Sequence, residues 1–215
     1  MRSLVRRSQE SAAAATHIVC LPGAYHEARD FLSAGFDACV RERDLPIDLS
    51  FVDLDMQHLG DRRPLERLRQ EIVLPIRTAG CRSLWFAGIS LGGFIALDYA
   101  DCYPGDVDGL CLLAPYLGNR MLIADVARAP RLGDWAPGEL AESDEERRIW
   151  RFLKTRCTPL PPPVYLGYGS GDRFADVQRL LAGSLPPAAV DVVSGGHDWP
   201  TWRTLWENFL ASRFA

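Results

Sequence analysis

The most constraining feature of the sequence is a serine between glycines, where an apolar strand-like run meets an apolar helix-like run. Residues 83–87 form the first run, Gly88 to Gly92 read G-I-S-L-G, and residues 94–103 form the second run. A strand that reverses into a helix this quickly brings backbone atoms close together, and glycine removes the Cβ atoms that would clash. The pattern predicts a strand–turn–helix unit that exposes Ser90 in a strained conformation.

The G-x-S-x-G spacing is also that of a nucleophile elbow. A helix that begins at Leu91 directs its free amide groups and the positive end of its dipole toward Ser90, which suits a site that holds a developing oxyanion. So short a motif also occurs in ordinary tight turns, and that alternative stays open at this point. The catalytic hypothesis requires an acid and a base later in the chain.

A candidate acid follows the second buried strand after Ser90. Residues 163–169 are typical of a buried strand, and the glycine-rich loop after it contains Asp172. The alternative is that Asp172 only caps the following helix at 174–182. Asp176 is a rival acid, but it lies about one helical turn further along and is expected to point elsewhere.

A candidate base follows the last predicted strand. Residues 188–193 indicate a strand, and the loop at 194–199 contains His197, whereas the other three histidines come earlier in the chain. His197 could instead be a loop residue that packs against Trp199 and Trp202. The neighbouring Asp198 is a second rival acid, although its position favours capping of the last helix.

The order Ser90, Asp172, His197, with each residue on a loop after a strand, resembles the α/β-hydrolase superfamily. The resemblance covers the chain from about His17 onward, and residues 196–203 are also similar to the histidine loop of esterase D-like and enterochelin-esterase-like members. It implies that these three residues form a catalytic triad. The base would accept the proton of the serine, and the acid would fix the imidazole tautomer.

The same resemblance implies an oxyanion hole made of two backbone amides. Residues 17–25 look like the family's early central strand and the loop after it, although this chain has Pro22-Gly23 where many relatives have His-Gly. The expected donors are the amide of Ala24, with Tyr25 as the alternative, and the amide of Leu91, the residue after the nucleophile.

Strand-like and helix-like segments alternate along the chain, which predicts an α/β fold. Helices are expected near 27–42, 64–78, 91–103, 174–183 and 199–213. They would cover both faces of a mostly parallel sheet of about six strands. With 215 residues and 47% hydrophobic content, residues 16–215 are expected to form one domain, and residues 1–15 a poorly ordered tail.

The segment 117–162 interrupts this alternation, because connections in such domains usually take about 2 to 6 residues around a helix. It is either a small helical lid over Ser90 or a peripheral excursion that covers the sheet. The predicted substrate pocket combines residues of this region with others near the catalytic loops: Tyr25, Tyr116, Leu117, Met121 and Trp199. Leu122 and Ile123 are further candidates. The stripe of Trp199, Trp202 and Trp206 is more typical of a core-facing helix than of a site wall.

Composition narrows the possible partners. The net charge of −4 is small and the basic residues are dispersed, which argues against nucleic acid or an anionic membrane surface as a partner. No apolar run reaches the ~20 residues that a membrane span needs. The six cysteines lack CxxC spacing, which favours buried thiols and a cytoplasmic location. The oligomeric state stays open.

No metal or cofactor is expected. Asp53, Asp55 and His58 lie close together in the sequence, but their spacing matches no known ligand pattern, so they are interpreted as a polar loop. The functional hypothesis is a serine hydrolase that cleaves a small carboxylic ester or thioester, with a short or medium acyl group, through an acyl-enzyme. An acyltransferase with the same triad and a non-catalytic small-molecule binder are the alternatives.

Overall fold

A seven-stranded sheet forms the centre of the structure, a computed structural model that describes residues 1–8, 14–54, 63–141, 143–156 and 162–214. The strands are β1 Ser3–Arg6, β2 Thr16–Leu21, β3 Ile47–Val52, β4 Ser83–Ile89, β5 Gly109–Leu113, β6 Val164–Gly169 and β7 Val190–Val193. Their order across the sheet is β1-β3-β2-β4-β5-β6-β7. β1 runs antiparallel to β3, and all other neighbours are parallel.

Parallel pairing brings the carboxyl ends of the strands to one edge. Leu21 pairs with Gly88, Ile89 pairs with Leu113, and Gly169 pairs with Val193. The loops that follow β2, β4, β5, β6 and β7 therefore meet at this edge, where open parallel sheets usually bind their ligands.

Helices connect the strands in the predicted alternation. They are α1 Ala28–Ser33, α2 Phe36–Glu42, α3 Arg63–Leu68, α4 Leu74–Thr78, α5 Leu91–Cys102, α6 Arg120–Ala127, α7 Glu145–Arg156, α8 Ala175–Ala182 and α9 Trp199–Phe214. A π-helical turn at Arg69–Val73 joins α3 to α4. Every residue of β5 and β6 is buried, and successive strand residues point to opposite faces, so both faces of the sheet are covered. Among the described residues, no helix is long and apolar enough to cross a membrane.

The seventh strand, β1, is one more than the sequence analysis predicted, and it lies in the segment expected to be a disordered tail. It adds to the edge of the sheet beside β3, with Leu4 against the core and Val5 exposed. The buried carboxylate of Asp48, in β3, accepts hydrogen bonds from the Ser8 amide (2.8 Å) and the Ala14 amide (3.0 Å), which holds both residues beside that strand. These contacts are long-range, so a local pattern does not reveal them.

One predicted helix is in fact two. The sequence indicated a single helix over 27–42, but Gly35 has φ +80° and separates α1 from α2. Glycine adopts this left-handed conformation at little cost, and it ends the first helix there. The two short helices pack against each other, with Phe31 and Phe36 in an edge-to-face contact at 5.1 Å.

The insertion between β5 and β6 contains α6 and α7. Asn119 caps α6 by accepting hydrogen bonds from the amides of Met121 (2.9 Å) and Leu122 (3.1 Å). α7 packs against α5, the helix that follows the serine. A buried ion pair between Arg148 and Asp98 joins these two helices, and Arg148 Nε also lies 3.6 Å from Asp101 Oδ2.

This pair gives a test of how the insertion is anchored. Arg148→Met removes the guanidinium from the buried carboxylate of Asp98, and the expected loss in free energy of unfolding is about 3 kcal/mol, because one partner of a buried pair is left charged. Arg151 is the matched control. It reaches Asp101 from the same helix at 3.4 Å, but its side chain is 44% exposed against 7% for Arg148.

Arg151→Met should therefore cost less than about 1 kcal/mol. Urea unfolding followed by circular dichroism measures both variants. Equal, small losses in the two variants would contradict an anchoring role for the buried pair.

Candidate active site

Ser90 occupies the predicted strained turn between β4 and α5. Its backbone has φ +50° and ψ −112°, a conformation that non-glycine residues rarely adopt. Four backbone hydrogen bonds hold it there. The Ser90 amide donates to Leu113 O at 3.0 Å, and the Ser90 carbonyl accepts from Gly93 (3.0 Å), Phe94 (3.3 Å) and Tyr116 (2.8 Å). Strain that is held by so many contacts is typical of functional sites.

The flanking glycines are required by close backbone contacts. A Cβ on Gly88 would lie 2.4 Å from Gly92 O, and a Cβ on Gly92 would lie 2.1 Å from Leu21 O. Both distances are far below any real contact of a Cβ atom. The elbow therefore packs directly on the end of β2 as well as on itself.

Asp172 and His197, predicted as acid and base, are hydrogen-bonded in the structure. Asp172 Oδ2 lies 2.7 Å from His197 Nδ1. A buried, ionised carboxylate only accepts hydrogen bonds, so this contact assigns a proton to Nδ1. The second oxygen, Oδ1, accepts from the Phe174 amide at 2.8 Å. Asp172 thus also orders the residue that begins α8, although the N-cap of this helix is Phe174 and not Asp172. The role of Asp172 as the acid stays a prediction.

Two aromatic rings pack against the imidazole of His197. Phe174 contacts it edge to face at a centroid distance of 5.3 Å, and Trp202 does so at 5.0 Å. Together with the bond from Nδ1 to Asp172, these contacts fix the orientation of the ring. His197 Nε2 makes no hydrogen bond to any residue that the structure describes.

Both rival acids have other partners. Asp176 is 97% exposed, and it pairs with Arg179 on its own helix. Asp198 accepts hydrogen bonds from the Thr201 hydroxyl (2.7 Å) and the Thr201 amide (3.0 Å), as expected of a cap at the start of α9. These hydrogen bonds hold the pKa of the Asp198 carboxyl below its usual value.

A series of contacts through the loop after β2 runs from Ser90 to His197. The position that a Cβ would take on Gly23 lies 3.4 Å from Ser90 Cβ and 3.3 Å from His26 Cδ2. The His26 ring in turn contacts Trp202 at 5.9 Å, and Trp202 contacts His197. In the described part of the chain, no hydrogen bond joins Ser90 to His197.

The backbone amides predicted as oxyanion donors, those of Ala24, Tyr25 and Leu91, donate no hydrogen bond within the described ranges. Leu91 begins α5, so its amide is one of the unpaired donors at a helix start. Ala24 and Tyr25 follow Gly23, which contacts Ser90, and Tyr25 has φ +65°. The choice between Ala24 and Tyr25 stays a prediction.

The predicted pocket residues lie in different surroundings. Leu117 is only 2% exposed, and its carbonyl accepts a hydrogen bond from the Trp150 indole, so it belongs to the core. Met121 is 85% exposed and lines a surface depression of about 630 Å³ on the insertion, whose lining includes none of the three candidate catalytic residues. Leu122 lines the same depression, and Ile123 packs at the edge of the core.

The other three pocket candidates lie in or next to the loops that follow β5, β2 and β7. Tyr116 follows β5, and its amide bonds the Ser90 carbonyl. Burial and a 2.7 Å hydrogen bond to Glu146 raise the pKa of the Tyr116 hydroxyl, which therefore stays protonated. Tyr25 is fully exposed beside Gly23, and Trp199 is partly buried against His26. These three residues remain candidates for substrate contact.

The tryptophan stripe of α9 lies mostly in the core, as predicted. Trp202 and Trp206 are buried, and Trp206 donates its indole N–H to Phe36 O at 3.0 Å. Trp199 packs edge to face on Phe31 at 5.3 Å and on Phe36 at 5.8 Å. The stripe thus joins the last helix to α1 and α2 and ends beside the histidine loop.

The polar loop that includes Asp53 is only partly described, because Asp55 and His58 lie outside the described residues. Asp53 Oδ1 accepts a hydrogen bond from the Ala28 amide at 2.7 Å. Over the ranges that the structure covers, no three histidine, cysteine, aspartate or glutamate residues come together as a metal site would require. His17 is buried in β2, where its Nε2 lies 2.8 Å from Ser50 Oγ, and burial lowers its pKa to about 4.

Comparison with solved structures identifies the fold. A fluorophosphonate-binding serine hydrolase of Staphylococcus aureus aligns with a TM-score of 0.68 at 12% sequence identity, over 94% of this chain and 84% of that one. A ferulic acid esterase aligns with a TM-score of 0.66 at 16% identity, over 97% and 89%. An S-formylglutathione hydrolase from Staphylococcus aureus aligns with a TM-score of 0.60 at 11% identity, over 94% and 82%.

No family model and no curated protein sequence matches the chain. The structural matches and the mostly parallel seven-stranded sheet establish the α/β-hydrolase fold, as the order of the motifs predicted. At these low identities the similarity concerns the fold alone.

The contact between the elbow and β2 gives a test of the site's construction. Gly92→Ala places a methyl group against Leu21 O, and it should lower the free energy of unfolding by about 2 kcal/mol or more, because the clash involves backbone on both sides. Gly133→Ala is the control, since no atom lies within 4 Å of its added Cβ.

The control should stay within about 0.5 kcal/mol of the wild type. Thermal unfolding of both variants is the measurement. An unchanged melting temperature for Gly92→Ala would mean that the elbow is not packed on β2 as described.

Proposed function

We propose that the protein is a serine hydrolase that cleaves a small carboxylic ester or thioester through an acyl-enzyme. The observation that carries the proposal is the 2.7 Å hydrogen bond between His197 Nδ1 and Asp172 Oδ2, at the same sheet edge as Ser90 on its strained elbow. A serine alone on a tight turn has little reactivity. A histidine whose tautomer is fixed by a buried carboxylate can act as its general base.

In the proposed first step, Ser90 Oγ attacks the acyl carbonyl carbon, and His197 Nε2 accepts the hydroxyl proton. Asp172 keeps the other proton on Nδ1, and its negative charge stabilises the imidazolium that forms. The tetrahedral intermediate then collapses, the bond to the leaving oxygen or sulfur breaks, and the imidazolium protonates that atom. The product of this step is an ester between the acyl group and Ser90.

The oxyanion of the intermediate would accept hydrogen bonds from two backbone amides. We assign these donors to Leu91 and Ala24, with Tyr25 as the alternative to Ala24. All three amides lack a hydrogen-bond acceptor among the described residues, and Leu91 adds the positive end of the α5 dipole. Donors that are already in place cost no reorganisation when the charge develops.

In the second step, water attacks the acyl-enzyme with His197 again as the base, and Ser90 leaves as the alcohol. The structural neighbours support this reaction class, because they are named as a serine hydrolase, an esterase and a hydrolase of S-formylglutathione, which is a thioester. The described contacts offer no reason to prefer an acyl acceptor other than water. Four buried cysteines, Cys20, Cys39, Cys81 and Cys111, are free thiols in the described residues, which supports a cytoplasmic location.

Labelling with a fluorophosphonate probe tests the nucleophile. We expect the probe to attach at Ser90, and Ser90→Ala should abolish labelling and lower kcat by about 10⁶, with a similar loss for His197→Ala, because nucleophile and base act as one unit. Ser194→Ala is the control, since this exposed serine lies in the histidine loop. Mass spectrometry locates the probe, and a panel of p-nitrophenyl esters, a feruloyl ester and S-formylglutathione measures turnover.

Absence of labelling in the folded protein, or labelling that survives Ser90→Ala, would refute the catalytic proposal and favour a non-catalytic binder.

Substitution of the acid tests the role of the carboxylate. Asp172→Asn should lower kcat by about 10⁴, because an amide at this position stabilises the wrong imidazole tautomer. Stability should change little, since asparagine can still accept the Phe174 amide. Asp198→Asn and Asp176→Asn are the controls, and both should retain nearly full activity. Steady-state kinetics with the best ester of the panel decides the matter.

If Asp172→Asn stayed active while one of the controls lost its activity, the acid role would move to that residue.

A further inference from the structure

His26 lies beside the candidate nucleophile, and the proposed reaction does not use it. Its amide donates to Gly23 O at 3.2 Å, so the loop after β2 folds back on itself. His26 Cδ2 and Ser90 Cβ lie 3.3 Å and 3.4 Å from the same point, the position that a Cβ would take on Gly23. His26 precedes most of the chain in sequence, but the sheet brings the end of β2 next to the elbow.

Three contacts fix the orientation of the His26 ring. Trp199 contacts it edge to face at 5.1 Å, and Trp202 does so at 5.9 Å. Nδ1 faces Asp30, with 3.7 Å between Nδ1 and Oδ2, whereas Cδ2 faces Gly23. Asp30 is itself held by a 2.8 Å hydrogen bond from the Glu27 amide.

This orientation leaves Nε2 of His26 for a hydrogen bond to a ligand. Nε2 donates in one tautomer and accepts in the other. Nε2 is bonded to Cδ2, on the side of the ring toward Gly23, and it makes no hydrogen bond to the described residues. The side chain is 31% exposed, so small molecules can reach it.

The charges around His26 indicate which substrate groups fit. Asp30 places a negative charge behind the ring, and the nearby arginine, Arg29, already pairs with Glu27 at 3.1 Å. An anionic substrate group would be repelled here. A hydroxyl group, in contrast, is uncharged, and it can either donate to Nε2 or accept from it.

We propose that His26 is a specificity-determining residue that forms a hydrogen bond with a substrate hydroxyl, so that the preferred esters carry a free hydroxyl near the scissile bond. The inference rests on the proposed hydrolase function. It assigns His26 a contact to the substrate and no part in proton transfer. One neutral hydrogen bond corresponds to a preference of roughly three- to tenfold in kcat/KM.

The test compares two butyrate esters that differ only in hydroxyl groups. Glycerol 1-monobutyrate and propyl butyrate share the acyl group and a three-carbon alcohol. We expect the wild type to prefer the glycerol ester by roughly three- to tenfold in kcat/KM. His26→Phe keeps an aromatic ring against the tryptophans and removes the nitrogen that hydrogen-bonds the hydroxyl. It should raise KM for the glycerol ester with little change in kcat, and leave propyl butyrate unaffected.

His26→Gln is the second variant, because its amide group can again form a hydrogen bond with the hydroxyl, and it is expected to retain the preference. A preference that survives in His26→Phe would overturn the inference, as would a wild type without any preference. An equal loss in the Phe and Gln variants would assign the effect to ring packing and also overturn it. In all these cases the esters are still hydrolysed. A protein that hydrolyses neither ester and takes no fluorophosphonate would refute the hydrolase function itself.

Discussion

The close approach of three backbone segments at the elbow is the constraint on which the candidate site depends. The turn after β4 touches the first turn of α5, and that turn touches the end of β2, at positions where a single methyl group could not fit. Because the contact is backbone against backbone, side-chain rearrangement cannot relieve it. It fixes Ser90 relative to the loop of Ala24 and Tyr25, whose amides donate no hydrogen bond to any described residue. In the proposed function, the distance between the nucleophile and its oxyanion donors is thus set by the fold and not by flexible side chains.

The acid and base are held by a different kind of contact. Asp172 uses one carboxylate oxygen for the start of α8 and the other for His197, so the helix and the imidazole share one anchor. The rings of Phe174 and Trp202 pack against His197. Each of these interactions is modest alone. Together they fix the ring and leave Nε2 without a hydrogen-bond partner among the described residues. This arrangement suits the proposed base, which must accept and return a proton while its ring keeps one orientation.

The sequence was sufficient to predict the parallel sheet, its helices and the pairing of Asp172 with His197, because apolar runs, glycine turns and chain order are local signals. What it could not supply depends on contacts between distant segments. β1 has only Leu4 and Val5 as apolar residues, and it is a strand because β3 offers an edge. Leu117 was interpreted as a pocket wall but is in the core, since local hydrophobicity does not tell which surface covers a side chain. His26 became relevant only when the strand order placed β2 next to β4.

Trp202 contacts both His26 and His197, and this shared contact couples two properties that are often treated as separate. A substitution at Trp202 would change the surroundings of both imidazoles at once, so its effects on substrate choice and on turnover rate would not be additive with changes at either histidine. Trp199 contacts His26 without contacting His197. A substitution at Trp199 would therefore change the surroundings of His26 alone. A substitution at Trp202 would also disturb His197, the proposed base, and so lower the turnover rate.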